Sequence, residues 1–258
     1  MNLCILYMVM HMKYLNELTK LKIFTFSDFV KLVGNENLAN VTIYNYLKKG
    51  YIIRIKNNLY STISLETNNA LADKFLIASF LTNTSFVSHH SAFEYYGYYN
   101  QVFDTVNVSS ISKFNEFEFE GNRFILKQVN NDEFVNEIRG VRVTSIERTI
   151  VDCINDSGKV CELEEILNCI QMIPYISIEN ILKYLELCNS KMLYKKVGII
   201  LSLFIEHFNI PESFFDKCHQ MSDNVRGYFN NNKKKSQIYY SKWKIYMDKE
   251  IENYIAKE

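Results

Sequence analysis

Glycine is scarce in this sequence: only eight of the 258 residues are glycine. Loops that cradle phosphates depend on glycine, because a residue without a side chain lets the backbone approach the phosphate closely. Neither a P-loop nor the glycine fingerprint of dinucleotide-binding proteins is present, and a nucleophile elbow and a zinc-protease helix are also missing. We therefore expect a protein that is not an enzyme and that uses no cofactor or metal ion.

Long apolar runs are also lacking. The segment Leu3–Met10 is apolar, but it is much shorter than the roughly 20 residues that a transmembrane helix needs. It has no basic leader of the kind that begins a secretory signal, and Met12 is an alternative initiator. The six cysteines form no CxxC pair, so we expect reduced thiols that pack as small hydrophobic residues. These absences predict a cytoplasmic protein with no membrane partner.

The sequence carries no excess charge, since 29 basic residues balance 29 acidic ones. The charges are unevenly placed. Lys13–Tyr60 holds eight basic and three acidic residues, whereas Ile63–Arg139 holds five basic and ten acidic residues. A basic N-terminal segment followed by an acidic one predicts that any nucleic-acid contact is confined to the N-terminal segment.

Helical and extended patterns alternate in this basic segment. Apolar residues recur at helical spacing over Lys13–Leu21, and Ile23–Thr25 can form a short strand. Ser27 is expected to cap a second helix, because its hydroxyl can accept from the free amides of the next turn, and Gly34 ends that helix. Asn40 is expected to cap a third helix, which runs over Val41–Lys49.

The third helix has two different faces. Ile43, Tyr46 and Leu47 lie three and four residues apart and should pack inward. Thr42, Asn45 and Lys49 are expected on the opposite side, with Tyr44 and Lys48 beside them. A recognition helix presents polar residues in this way to base edges in the major groove of DNA.

A basic β-hairpin follows directly. Tyr51–Ile55 and Leu59–Thr62 are expected to pair across a turn with Asn57 at its centre, since asparagine tolerates the positive φ of tight turns. The order of helices and hairpin predicts a winged helix-turn-helix domain over residues 12–64 that binds double-stranded DNA. A scaffold or a protein-binding module is the alternative. The predicted DNA-binding residues are Asn40, Thr42, Tyr44, Asn45, Lys48, Lys49, Arg54, Lys56 and Asn57.

A second, mixed α/β domain is expected over residues 70–258, which makes the fold class α+β. Its patterns predict helices and β-strands up to about residue 145 and mainly helices thereafter. For Ser236–Ile255 both strand and helix stay open. The predicted elements are helices over Ala70–Leu81, His89–Tyr96, Leu163–Met172, Ser177–Cys188, Lys191–Phe208 and Pro211–Met221. The predicted β-runs are Val102–Ser109, Phe117–Val129, which includes an Asn/Gly turn, and Val141–Thr144.

Several titratable side chains in this second domain are given structural roles. Adjacent residues of a helix point about 100° apart, so His89 and His90 cannot easily bind one metal ion together. Thr144 and Glu147 have the spacing of a capping box, and Arg148 and Asp152 have the spacing of an ion pair. The β-region has four candidates for a nuclease-like site of two carboxylates and a lysine. Their spacing does not bring two carboxylates and the lysine together from adjacent strands: Asp104, Glu118, Glu120 and Lys127.

Three segments together resemble the AbiEi-type antitoxins of bacterial type IV toxin–antitoxin systems. They are VTIYNYLKKGYIIRIKNNLYST (Val41–Thr62), FVSHHSAFEYYG (Phe86–Gly97) and, most specifically, VTSIERTIVDCI (Val143–Ile154). The resemblance extends from about Leu18 to Leu203, and Ser241–Trp243 is similar to the closing segment of the family.

The resemblance implies two activities. The N-terminal domain would bind inverted repeats in the operator of its own operon and repress transcription. The C-terminal domain would neutralise a cognate nucleotidyltransferase toxin, without a stable toxin–antitoxin complex. It implies no catalytic residue. A protein-interaction module or a regulator without antitoxin activity is the alternative.

Overall fold

The computed structural model describes residues 14–64, 66–223, 225–230 and 237–248. It has N-terminal helices with a small three-stranded sheet, a mixed six-stranded sheet, and a C-terminal helical region. This architecture confirms the α+β class that the sequence predicts. The apolar N-terminal extension, Met12, the lysines of residues 233–235 and residues 249–258 lie outside the described residues.

The chain divides into two compact units. The first contains the described residues up to Val87, together with 104–132 and 137–142. The second contains 88–103, 133–136 and the described residues from Val143 onward. Both units are therefore built from segments that are not contiguous in the sequence.

The first unit begins with what we call the N-terminal module, residues 14–64. The middle strand of its sheet is the last one in sequence, because β3 pairs antiparallel with both β1 and β2. Leu18, Phe24, Phe29 and Tyr46 are almost completely buried at its centre. The elements are α1 (residues 14–21), β1 (Ile23–Thr25), α2 (Phe26–Val33), α3 (Glu36–Lys48), β2 (Ile52–Lys56) and β3 (Leu59–Thr62).

Both predicted helix caps in this module are wrong. The N-cap of α2 is Thr25 rather than Ser27: the strand β1 ends at Thr25, whose hydroxyl accepts from the Asp28 N–H while the Asp28 carboxylate accepts from the Thr25 N–H. The N-cap of α3 is Asn35 rather than Asn40, because Asn35 directly follows the turn and its Oδ1 accepts from the Leu38 N–H at 2.9 Å. The left-handed Gly34 ends α2 as predicted.

Replacing Asp28 with alanine should lower the local stability of α2 by about 1 kcal/mol near neutral pH, the usual value for a lost cap. Burial alone would raise the pKa of this carboxyl, but the Thr25 hydroxyl and amide and the charge of Lys31 lower it overall. Because the pKa of this carboxyl is lower in the folded state, its stabilisation is complete above the unfolded pKa of about 3.9. That stabilisation is lost as pH falls through the folded-state pKa. Hydrogen exchange of the α2 amides should therefore differ between wild type and Asp28→Ala near neutral pH and converge in acid.

The matched control is Glu17→Ala on α1, which breaks only an exposed ion pair with Lys20. It should change local stability by less than about 1 kcal/mol. A difference for Asp28→Ala that stays constant into strong acid would contradict the assigned role of the carboxylate.

The six-stranded sheet has the order β6-β7-β5-β4-β9-β8. It is mixed, because β5 and β7 are parallel while β4–β5 and β6–β7 are antiparallel. The predicted strands β5, β6, β7 and β9 are confirmed, whereas the short central strand β4 and the edge strand β8 escaped prediction. The strands are β4 (Phe86–Val87), β5 (Thr105–Ser110), β6 (Phe117–Phe119), β7 (Asn122–Gln128), β8 (Val135–Ile138) and β9 (Val141–Thr144).

One helix of the first unit is shorter than predicted. The helix expected over Ala70–Leu81 is confined to α4, Lys74–Ser79. Asp73 is the N-cap of this helix, because its carboxylate accepts from the backbone amides of Phe75 and Leu76. The buried residues of this helix are Ile77, Ala78 and Ser79.

The second unit is mainly helical, and its buried residues form one large hydrophobic core. The helix predicted over Lys191–Phe208 is interrupted near Phe204 and forms two helices. Within the described residues no helix is long and apolar enough to cross a membrane. The helices are α5 (His89–Tyr96), α6 (Ile146–Asn155), α7 (Leu163–Gln171), α8 (Ile178–Cys188), α9 (Lys191–Ser202), α10 (Ile205–Phe208) and α11 (Glu212–Ser222).

The C-terminal segment, which the sequence left open, forms two strands joined by a short 3-10 helix, Ser241–Trp243, where it is described. β11 (Gln237–Tyr240) and β10 (Gly227–Tyr228) both pair with β12 (Ile245–Asp248). Trp243 lies just before β12, and its indole ring packs against Gly198 of α9, where an added Cβ would stand 2.3 Å from the ring. Tertiary packing of this tryptophan therefore requires glycine at position 198.

The predicted capping box of α6 is wrong, although the predicted ion pair is confirmed. Ser145 is the N-cap, since the helix begins one residue later than expected and the Ser145 hydroxyl accepts from the Arg148 N–H. The Thr144 hydroxyl instead bonds to Thr149 at 2.7 Å, and the Glu147 carboxylate accepts from a backbone amide at the start of α8. Arg148 donates to Asp152 at 3.2 Å.

Candidate nucleic-acid interface

The solvent-exposed face of α3 is a single stripe along the helix. Tyr44 and Val41 are 65% and 55% exposed, and Asn37, Asn40 and Lys48 are exposed on the same side. These five positions recur at intervals of three and four residues, which places them on one face. The asparagine amides and the tyrosine hydroxyl of this face can hydrogen-bond to base edges. The valine methyls can contact thymine methyls, and the lysine can contact phosphates.

Two predicted contact residues do not lie on this face. Thr42 is only 1% exposed, and Asn45 is half-buried at the edge of the stripe. The prediction started the helix at Asn40 and so missed Ala39, which is buried together with Ile43 and Tyr46. Thr42 lies three residues after Ala39 and four before Tyr46, so it belongs to the inward face.

Thr42→Ala should therefore act on stability and leave DNA discrimination unchanged. Removing a buried methyl and hydroxyl should cost about 1 kcal/mol, the central value for point substitutions. Faster hydrogen exchange of the α3 amides would show this loss, while the ratio of affinities for specific and random duplex should match wild type. A changed ratio without faster exchange would mean that Thr42 touches DNA.

The predicted hairpin is confirmed and is held to α2. Asn58 has a positive φ of 61° in the turn, and its Oδ1 accepts from the Phe26 N–H at 3.1 Å. Arg54 is exposed with its guanidinium 5.5 Å from the Tyr60 ring, and Asn57 is exposed at the tip. The hairpin thus carries a cation and an amide that solvent can reach.

Lys56 does not extend freely from the hairpin as predicted. Its ammonium lies 5.3 Å from the Phe114 ring centre and 5.4 Å from that of Phe117, and the side chain is half-buried. Burial lowers the pKa of this lysine. Because the cation already contacts two aromatic rings, it is a poor candidate for a phosphate contact.

The structure thus keeps most of the predicted residues at the surface. Asn40, Tyr44 and Lys48 share the α3 stripe, Lys49 is exposed at its C-terminal end with its ammonium 6.0 Å from the Tyr51 ring, and Arg54 and Asn57 lie on the hairpin. Asn37 and Val41 escaped prediction. Asn37 lies three residues before Asn40, and Val41 lies three residues before Tyr44. With the helix start predicted correctly, this spacing would have placed both on the exposed face.

Comparison with known proteins supports the fold alone. No protein-family model matches the sequence, and no curated protein matches it. The structure is similar to the crystal structure of the Rv2827c protein from Mycobacterium tuberculosis, with a TM-score of 0.59 and 10% sequence identity. The similarity covers 91% of this chain and 89% of that chain. At this identity the match shows a shared architecture over nearly the whole chain.

Proposed function

We propose that this protein is a transcriptional repressor that binds DNA through a winged helix-turn-helix, and that it is the antitoxin of a type IV toxin–antitoxin system. The observation that carries the DNA-binding part is the exposed α3 stripe beside the basic hairpin. In this arrangement α3 enters the major groove and Arg54 contacts the flanking backbone. The target is double-stranded operator DNA with inverted repeats.

The topology of the N-terminal module supports this proposal. A helix and strand precede two helices, and a two-stranded hairpin follows, with the first strand completing the sheet beside β3. The described module also retains cations at its surface, including Lys48, Lys49 and Arg54. Such cations supply the sequence-independent part of DNA affinity.

The antitoxin part rests on the resemblance of Val143–Ile154 to the AbiEi-type family. Within that segment Arg148 is buried and paired with Asp152, and Glu147 holds a backbone amide, so these side chains stabilise the second unit. The partner is a nucleotidyltransferase toxin, which is neutralised without a stable complex.

A gel-shift titration against the DNA upstream of the gene tests the DNA-binding part. Specific binding should exceed binding to random duplex of equal length, and affinity should fall steeply with added salt because counterions are released. Equal affinity for both duplexes at moderate salt would refute operator recognition.

A rescue experiment tests the antitoxin part. Co-expression with a nucleotidyltransferase encoded beside this gene should restore growth, and an Asn40→Ala, Tyr44→Ala double variant should still rescue when expressed from an unrelated promoter. Failure of wild type to rescue would refute the antitoxin part and leave the DNA-binding part standing.

One observation favours a second candidate function, a winged-helix module that binds protein. Val41 and Tyr44 are large and exposed at the centre of the α3 stripe, and exposed apolar residues also mark protein interfaces. If this second function is correct, the protein does not bind operator DNA. It instead binds a partner protein through α3, and the Val41→Asp variant no longer binds that partner.

A further inference from the structure

Three potential metal ligands meet inside the second unit. His90 of α5 and Glu165 and Cys169 of α7 place one ligand atom each within 4.8 Å of the others. The His90 Nε2 lies 3.0 Å from the Glu165 Oε1, and the Cys169 Sγ lies 3.5 Å from the same oxygen. All three side chains are buried, with exposed fractions of 1%, 4% and 0%.

The carboxylate of Glu165 is anchored on one side only. Its Oε1 also accepts from the backbone amides of Asn100 and Gln101, at 3.1 and 3.0 Å. Its Oε2 is buried and has no hydrogen-bond partner among the described residues. A buried carboxylate oxygen without a partner is costly, and a cation that the carboxylate binds through both of its oxygens would remove that cost.

The spacing of the three ligand atoms suits a small tetrahedral ion. With zinc bond lengths of about 2.1 Å to nitrogen or oxygen and about 2.3 Å to sulfur, neighbouring ligands lie about 3.4 Å (N to O) and about 3.6 Å (O to S) apart. The observed Nε2–Oε1 distance of 3.0 Å and Sγ–Oε1 distance of 3.5 Å are close to these values, and the Nε2 and Sγ atoms lie within 4.8 Å of each other. We propose that His90, Glu165 and Cys169 form a zinc-binding site.

Zinc fits this donor set better than calcium or magnesium. Thiolate and imidazole are borderline or soft ligands that favour zinc, whereas the two harder ions require several oxygen atoms. The two backbone amides act in the outer shell, where they orient the carboxylate. Binding requires loss of the Cys169 thiol proton to solvent, so one proton is released for each thiolate–zinc bond that forms.

Because the site is buried and links α5 with α7, its role is to stabilise the second unit rather than to catalyse a reaction.

Metal analysis of the full-length protein tests the proposal directly. Protein purified without chelator, or loaded with zinc and desalted, should contain one zinc ion per chain, and removal of zinc should lower the melting temperature. Cobalt in place of zinc should give the near-ultraviolet thiolate band and the strong visible bands of a tetrahedral site. No retained zinc and no such cobalt spectrum in wild type would overturn the proposal and leave the cluster as a hydrogen-bond network.

Two cysteine variants locate the site. Cys169→Ser should lose the thiolate–cobalt band and at least about 100-fold of zinc affinity, since even outer-shell changes cost 10–100-fold. Cys218→Ser removes an equally buried thiol on α11 and should behave as wild type. Circular dichroism checks that both variants fold. Unchanged zinc binding in a folded Cys169→Ser would overturn the assignment, and the wild-type metal content decides the matter if that variant does not fold.

Discussion

Arg148→Met should lower the free energy of unfolding of the second unit by about 3–5 kcal/mol, the cost of removing one partner from a buried ion pair. The Arg148 side chain is 1% exposed. Its Nε donates to Asp152 Oδ2 at 3.2 Å, an Nη donates to the Glu133 carbonyl, and the guanidinium lies 5.2 Å from the Tyr184 ring centre. The substitution would leave the Asp152 carboxylate, which is only 16% exposed, without its cation.

Urea unfolding followed by tryptophan fluorescence suits this measurement. The sequence has one tryptophan, Trp243, which is buried in the core of the second unit. Adding Asp152→Asn to Arg148→Met should recover part of the loss, because the double variant carries no unpaired charge. The recovery would be partial, since Asp152 also accepts from the Tyr184 hydroxyl at 2.8 Å.

The control for this prediction is another ion pair at the same helical spacing. Lys183 and Glu179 lie four residues apart on α8 with side chains 56% and 76% exposed. Lys183→Ala should change stability by less than about 1 kcal/mol, because solvent screens exposed pairs. An Arg148→Met variant that costs no more than this control would contradict the structural role of Arg148.

The second large effect is expected on operator binding. Asn40→Ala and Tyr44→Ala should each weaken binding to the specific operator by about 1–3 kcal/mol, roughly 5- to 150-fold, because each removes a contact to a base. Binding to random duplex should change little. Lys48→Ala should instead weaken binding to all duplexes and make the salt dependence shallower by about one unit, because it removes a phosphate contact.

Matched controls separate these effects from unfolding. Asn16→Ala removes an exposed asparagine from α1 of the same module, and Lys183→Ala removes an exposed lysine from the second unit. Neither should alter operator affinity. The assignment of the reading face fails if Asn40→Ala and Tyr44→Ala reduce affinity for specific and random duplex by the same factor.

Local patterns in the sequence identify most elements of both units. The spacing of Ile43 and Tyr46 predicts the inward face of α3, and both are buried. Strand β9 is predicted over the residues that it occupies. These predictions are correct for one physical reason. The buried face of a helix or strand produces a periodic pattern of apolar residues, and that pattern can be recognised from residues close together in the sequence.

Helix starts are harder to predict, because several residues compete for the same free amides. Ser27 and Asn40 can cap a helix chemically, but the chain enters α2 from β1 and α3 from the turn at Gly34, which makes Thr25 and Asn35 the caps. A small error in the start of α3 changes the functional conclusion. It moved Thr42 from the core to the predicted reading face.

Contacts between distant segments are visible only in the folded chain. Lys56 meets Phe114 and Phe117 because the hairpin packs within the first unit, so a residue that local sequence marks as a free cation is half-buried. His90 meets Glu165 across 75 positions of sequence, a distance over which residue spacing carries no information.

The sequence by itself therefore determined the α+β class, the helix–hairpin order of the N-terminal module and the pairing of Arg148 with Asp152, because each depends on residues close together in the chain. Tertiary structure alone decided which side chains of α3 reach solvent, where Lys56 lies and which groups surround Glu165. The physical reason is that burial and partner choice depend on packing between segments that have no fixed spacing in sequence.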